Sequence, residues 1–141
     1  MSKRIALKDH VSVDAVDLSN LARAVEFSSE HERVDVSGFS ATGANEYLAG
    51  QTEQSVTVEF YGSYGASEVH QTLYPIHRDR EVVPFEWRPD QTAAVSATNP
   101  QLEGNVQVFS YGPGATRGDV DTYEVTFMAV DAAGLAFVTA P

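Results

Sequence analysis

EQSVTVEFYGSYGASEVHQTLYPIHRDREVVPFEWR, residues Glu53–Arg88, reads as strand, turn, short helix, strand. In Glu53–Tyr61 the apolar residues Val56, Val58 and Phe60 alternate with Thr57 and Glu59. Successive side chains of a strand leave opposite faces, so this period of two marks a half-buried strand. Gly62-Ser63-Tyr64-Gly65 breaks the pattern. Ser67 is placed to cap a helix whose first residue, Glu68, suits the positive end of the helix dipole. Val69, Leu73 and Ile76 then share one helical face. Pro75 disfavours the helical conformation at the residue before it, which predicts an end or kink near Tyr74. Glu81–Arg88 returns to alternation, with Val83, Phe85 and Trp87 on one face. The segment describes a helix that bridges two strands and covers a sheet.

Working outward, Val11, Val13 and Ala15 alternate with Ser12 and Asp14, predicting a first strand near Val11–Leu18. Leu21, Val25 and Phe27 share parity, interrupted by Arg23. Ser28–Glu32 reads as a polar turn and Arg33–Ser37 as a short strand. Gly38–Gln51 holds three glycines and polar residues with Phe39, Tyr47 and Leu48 between them. A connection that long is either a partner-binding element or a packed Ω-loop. Past the central segment, Pro89–Gln101 is a polar connection. Leu102–Tyr111 carries Val106 and Val108 on one side and Phe109 and Tyr111 on the other, predicting cover on both faces. Gly112 to Asp119 is a glycine-rich turn, and Val120–Val130 pairs back as a hairpin through Tyr123, Val125 and Phe127. In the tail after Ala129, Leu135, Phe137 and Val138 need burial. About seven strands and one short helix predict a mainly β (α+β) fold, a β-sandwich or barrel-like single domain.

The chain's 141 residues fit one domain. It has no cysteine, which removes disulfides, thiolate catalysis and thiolate metal sites. No run has the apolar length of a membrane span. Met1–His10 has Lys3, Arg4 and Lys8 but no apolar stretch after them, so no secretory signal is expected. Nine basic against 20 acidic residues give a formal net charge of −11. Tight binding to nucleic acid or to an anionic membrane needs clustered cations, and this balance disfavours both.

The residues offer little catalytic chemistry. His10, His31, His70 and His77 include no i, i+4 pair of the kind a helical zinc site uses. There is no G-x-S-x-G nucleophile elbow and no Gly-Lys-Ser/Thr of a phosphate loop. Pairs such as Glu30/Glu32 and Asp119/Asp121 read as solvated charge. Arg117-Gly118-Asp119 is accounted for by a turn between strands. No enzymatic activity, cofactor or metal site is expected.

The order of features resembles the tail tube (major tail) proteins of long-tailed bacteriophages. The residues that carry the resemblance begin with Val13-Asp14-Ala15-Val16-Asp17-Leu18-Ser19 and Val34-Asp35-Val36-Ser37-Gly38-Phe39 leading into the long loop. Leu48-Ala49-Gly50-Gln51, the strand Ser55–Tyr61 and the helix with Val69 and Leu73 follow. Phe85–Pro89, Asn99-Pro100 with Gly104, Val106–Tyr111 and Asp121–Met128 complete it, over residues 11–130. The pattern is more distantly similar to the tube proteins of contractile injection machines. No single motif is specific; the succession of elements and the acidic balance carry it.

The resemblance implies a structural virion protein, with six copies closing into a ring and rings stacking into a tube that conducts DNA. Its partners would be other copies of itself and further tail proteins: tape measure, terminator and distal tail protein. DNA would pass without specific binding, and assembly would take place in the host bacterial cytoplasm. The loop 38–51, with Gly38, Phe39, Gly43, Tyr47, Leu48 and Gly50, would make the contact between rings. The arms 1–10 and 131–141, the latter with Leu135, Phe137 and Val138, would also serve assembly. Six chains would carry about −66, and an acidic lumen repels phosphates. Glu59 and Glu124, outward by parity, are the candidates to face it. Two rivals remain open: a tail terminator or joining ring, and a carbohydrate-binding β-sandwich using Tyr61 and Tyr111.

Overall fold

The alternation in the central stretch is resolved as strand β4 (Tyr47–Tyr61), on which Val56, Val58 and Phe60 are buried. The computed structural model describes residues 3–39 and 42–140. Met1, Ser2, Ser40, Ala41 and Pro141, which fall in the expected arms and loop, lie outside the described residues. Among the described residues the other strands are β1 (His10–Val13), β2 (Val16–Asp17), β3 (Ala22–Asp35), β5 (Val83–Arg88), β6 (Gln101–Gly114), β7 (Thr122–Ala129) and β8 (Ala136–Val138). One helix, α1 (Val69–Asp79), lies between β4 and β5. The expectation of a mainly β fold with one short helix is borne out.

All strands belong to one antiparallel sheet in the order β2-β1-β5-β6-β7-β4-β3, with β8 paired to β6. Strands β2 and β3 are at opposite ends of that order, yet only Leu18–Leu21 joins them. A flat sheet would hold its two edges about 29 Å apart at ~4.8 Å per strand. The five steps from Asp17 to Ala22 reach at most about 18 Å. The sheet must therefore curl, barrel-like, until its edges approach. Leu18 takes the corner, buried, with its carbonyl accepting the amides of Leu21 and Ala22.

The concave face holds the core. Val11 and Val13 of β1, Phe85 of β5, Leu102, Val106 and Val108 of β6, and Tyr123, Val125 and Phe127 of β7 join the β4 trio there. Cross-strand pairs set the packing: Val56, Val58 and Phe60 lie opposite Phe127, Val125 and Tyr123. The rings of Phe85 and Phe127 meet at 5.3 Å. Helix α1 adds Val69, Leu73 and Ile76. Gly104 is where the last turn crosses the sheet. A Cβ there would stand 2.5 Å from the Gly134 carbonyl oxygen, so a larger residue would displace the segment that delivers Leu135 to the core.

Several boundaries differ from the sequence-based expectations. The first strand is split, because Asp14 and Ala15 adopt left-handed φ of 52° and 62° and turn β1 back on β2. Ser28–Glu32 is not a turn. It lies within the 14-residue β3, and Arg33–Asp35 belongs to the same strand. Its partner β4 pairs with Ser28 to His31 of that polar run, Glu32 falling at a bulge, and pairing overrides composition. Tyr47–Gln51 of the expected loop likewise belongs to β4.

Helix α1 starts at Val69, with Glu68 rather than Ser67 before it, and runs through Pro75 to Asp79. Proline forfeits one helical hydrogen bond. Burial of Ile76 and a 3.0 Å hydrogen bond between His77 Nδ1 and the Val108 carbonyl hold the last turn against the sheet. Strand β6 is not covered twice. A bulge between Val108 and Ser110 shifts the register against β7, so Phe109 points to solvent and Tyr111 turns toward the core.

Candidate assembly surfaces

Beyond Ser28 and Ser55 the strands β3 and β4 leave the sheet, since β7 pairs with β4 only from Ser55 to Tyr61. They continue as a two-stranded ribbon paired as far as Asp35 with Tyr47. The eight residues Tyr47–Gln54 extend over about 26 Å at ~3.3 Å per residue, with Gln54 at the base bonded to Leu135. The tip is pinned by a 3.0 Å bond from the Val36 amide to the Glu46 carbonyl and a 2.7 Å bond from the Glu46 amide to Ser37 Oγ. Hydrogen bonding from Ser37 holds the Asp35 carboxyl below the usual carboxylate range. Gly43, at φ 69°, supplies the left-handed residue that the turn needs. The Arg33 guanidinium lies 4.6 Å above the Tyr47 ring.

Isolated two-stranded ribbons are marginal in water, and this one buries almost nothing. Val34, Val36, Phe39, Tyr47 and Leu48 are all exposed on it. Apolar groups gathered on a projecting element, outside the reach of the core, mark a contact surface. The structure thus brings Phe39, Tyr47 and Leu48 together with Val34 and Val36. Gly38 flanks the tip, and Gly50 lies within β4.

Glu59 and Glu124 stand directly opposite each other on the convex face of β4 and β7. Like charges in that position repel. Arg23 on β3 relieves the pair with a 3.0 Å salt bridge to Glu59. Parity placed the two glutamates on one face. It did not identify Arg23 as their counter-ion, because the partner comes from a strand 36 residues away. Glu124 makes no ion pair among the described residues.

The two arms differ. At the N-terminal end Asp9 accepts Arg4 at 3.0 Å and the Trp87 indole at 2.9 Å, and Lys8 pairs with Asp90 at 3.3 Å. Ile5 and Leu7, between these fixed points, are exposed. At the C-terminal end Leu135 is only 4% exposed and serves this chain's own core, its backbone bonded at both ends to the Gln54 amide. Val138 pairs with Gln101, half-buried. Phe137 is 51% exposed and touches Phe27 at 5.8 Å and Trp87 at 6.4 Å.

Tyr61 and Tyr111 do not form a sugar-stacking pair. Tyr61 lies on the outward parity of β4, whereas the β6 bulge turns Tyr111 inward, half-buried, with its hydroxyl 2.8 Å from His70 Nδ1. Burial pushes the Tyr111 phenol up to about 12.

No family model matches the chain, and no curated protein matches it. Solved structures do. A chain from the virion of a native gene transfer agent particle superposes with a TM-score of 0.76 at 19% identity, covering 97% of this chain and 100% of that one. A chain from the tail of an empty gene transfer agent particle, refined with C6 symmetry, gives 0.67 at 22% identity over 84% and 83%. The SPP1 tail tube gives 0.66 at 14% identity over 94% and 76%. Along nearly its whole length, the chain therefore has the fold found in the SPP1 tail tube and in gene transfer agent tails and virions.

Proposed function

We propose that this chain is a structural subunit of a phage tail tube, a virion protein and not an enzyme. The observation that carries the reading is the ribbon of β3 and β4, read on a fold shared over 97% of the chain with a virion component. That ribbon exposes five large apolar side chains that a solitary domain has no means of burying. In this reading six copies close head-to-tail into a ring, and rings stack through the ribbon. The N-terminal arm with Ile5 and Leu7, together with Phe137, adds contacts between subunits. The tape measure, terminator and distal tail proteins are further partners. Sedimentation and negative-stain microscopy of the purified chain, with and without a tail initiator complex, test this directly. Long polymers are expected. Single rings that never stack would favour a terminator or joining ring, and a chain that stays monomeric under both conditions overturns the proposal.

The convex acidic pair gives a second test. If that face lines the channel, the net charge of −11 per chain keeps phosphates from adhering. Glu124→Lys places a cation opposite Glu59, so the melt should hold or rise by a few tenths of a kcal/mol. Tubes of the variant should retain double-stranded DNA at low salt and release it as screening increases. Equal retention by wild type and variant would mean that this face lies outside the channel.

A further inference from the structure

The left-handed residue that ends α1 is Arg80, at φ 54°. Its amide bonds to the His77 carbonyl and the Glu81 amide bonds to the Ile76 carbonyl. This is the helix terminator in which glycine is the usual residue, because a Cβ is strained there. A third bond fixes the same point, since the Gln107 side-chain amide donates to the Arg80 carbonyl at 2.7 Å. The chain thus keeps an arginine where glycine would be more stable. Asp14, Ala15 and Ser67 are left-handed as well, so it is the surroundings of the Arg80 side chain that single it out.

Arg80 borders a notch of about 380 Å³ between the end of α1 and β6, lined by His77, Arg78, Arg80, Gln107, Val108 and Phe109. No carboxylate lines it, although the chain has 20 acidic residues. Arg78 is drawn to its neighbour Asp79 at 3.1 Å, whereas Arg80 makes no ion pair among the described residues. The β6 bulge supplies the apolar wall by turning Phe109 outward to 56% exposure. Two independent irregularities, a left-handed arginine and a bulge, therefore meet in one concave surface, where Arg80 borders the exposed Phe109.

The complementary surface is on the same molecule. One face of the ribbon tip presents Glu46 with Val34, Val36 and Leu48, while Asp35 lies on the other face with Tyr47 and Arg33. It cannot reach its own notch, because pairing as far as Asp35 with Tyr47, irregular only between His31 and Arg33, carries it away from the sheet on which the notch lies. We propose that the notch between α1 and β6 receives the acidic ribbon tip of a second copy of this chain, with Arg80 meeting its Glu46 carboxylate and Phe109 its apolar side chains. This rests on the tube reading and deepens it by naming the receptor of the ribbon.

Two measurements separate the notch from that reading. In the first, a peptide of residues 33–49, cyclised and checked by circular dichroism and NMR to hold the hairpin, is titrated onto the full-length chain. Binding is expected, weakened at least tenfold by Arg80→Glu and by Phe109→Ala, and restored toward Arg80→Glu when the peptide carries Glu46→Arg. In the second, Arg80→Gly should raise the melting midpoint by about 3 °C by relieving the left-handed strain while impairing polymerisation. A more stable protein that assembles less well is not what a purely structural arginine would give. Peptide that binds wild type and Arg80→Glu equally, or does not bind wild type, overturns the notch even if tubes form. Peptide bound as expected by a chain that never polymerises leaves the notch standing and removes the tube.

Discussion

Replacing residues 36–46 by an Asn-Gly turn should abolish long polymers while leaving a domain that melts cooperatively within about 1 kcal/mol of wild type. Asp35 and Tyr47 are the last paired residues of the ribbon, so a two-residue hairpin turn closes it there without disturbing the register. Shortening the connection from eleven residues to two favours folding by about 1–2 kcal/mol in closure entropy. The exposed bonds between Ser37 and Glu46 are lost, at about 1 kcal/mol each. The two effects nearly cancel, and no core residue is touched. The polymer, by contrast, loses Val36 and Phe39 from every proposed axial contact. Thermal melts and sedimentation velocity on one preparation read both effects. Normal tubes from the shortened chain would show that the tip is not the axial contact.

Phe127→Ala should cost about 3–5 kcal/mol, a large part of the 5–15 kcal/mol that holds a domain of this size together. Phe127 is fully buried, pairs across the sheet with Val56 and Val108, and meets Phe85 at 5.3 Å. Truncation leaves a cavity in the core between β4, β6 and the Phe85 ring, and tight packing allows little collapse into it. Phe109→Ala is the internal comparison. Phe109 is the same residue type on the neighbouring strand, but the bulge turns it to solvent, so its removal should change stability by less than about 0.5 kcal/mol. Denaturant midpoints of the two variants check this. Similar losses would mean that β6 has no bulge and that Phe109 packs inward.

The amino-acid sequence by itself determined the strands whose inner faces form the core. Val56, Val58 and Phe60, Val83 and Phe85, and Tyr123, Val125 and Phe127 are legible because burial on one face imposes a period of two on neighbouring residues. It also determined the helix face of Val69, Leu73 and Ile76, and the outward parity of Glu59 and Glu124. What it could not show depends on partners distant in the chain. Ser28–Glu32 reads as a turn until β4 is placed beside it, since a solvated ribbon is held by pairing and carries no apolar period. No local pattern marks β3 and β4 as one long pair. The bulge at Val108–Ser110 leaves no mark in local composition, yet it decides that Phe109 is surface and Tyr111 is core. The Arg23–Glu59 bridge, the burial of Leu135 by Gln54 and the notch at Arg80 were settled in the same way. Each joins residues far apart in the chain that strand pairing and packing bring together, and no local pattern records such a partner.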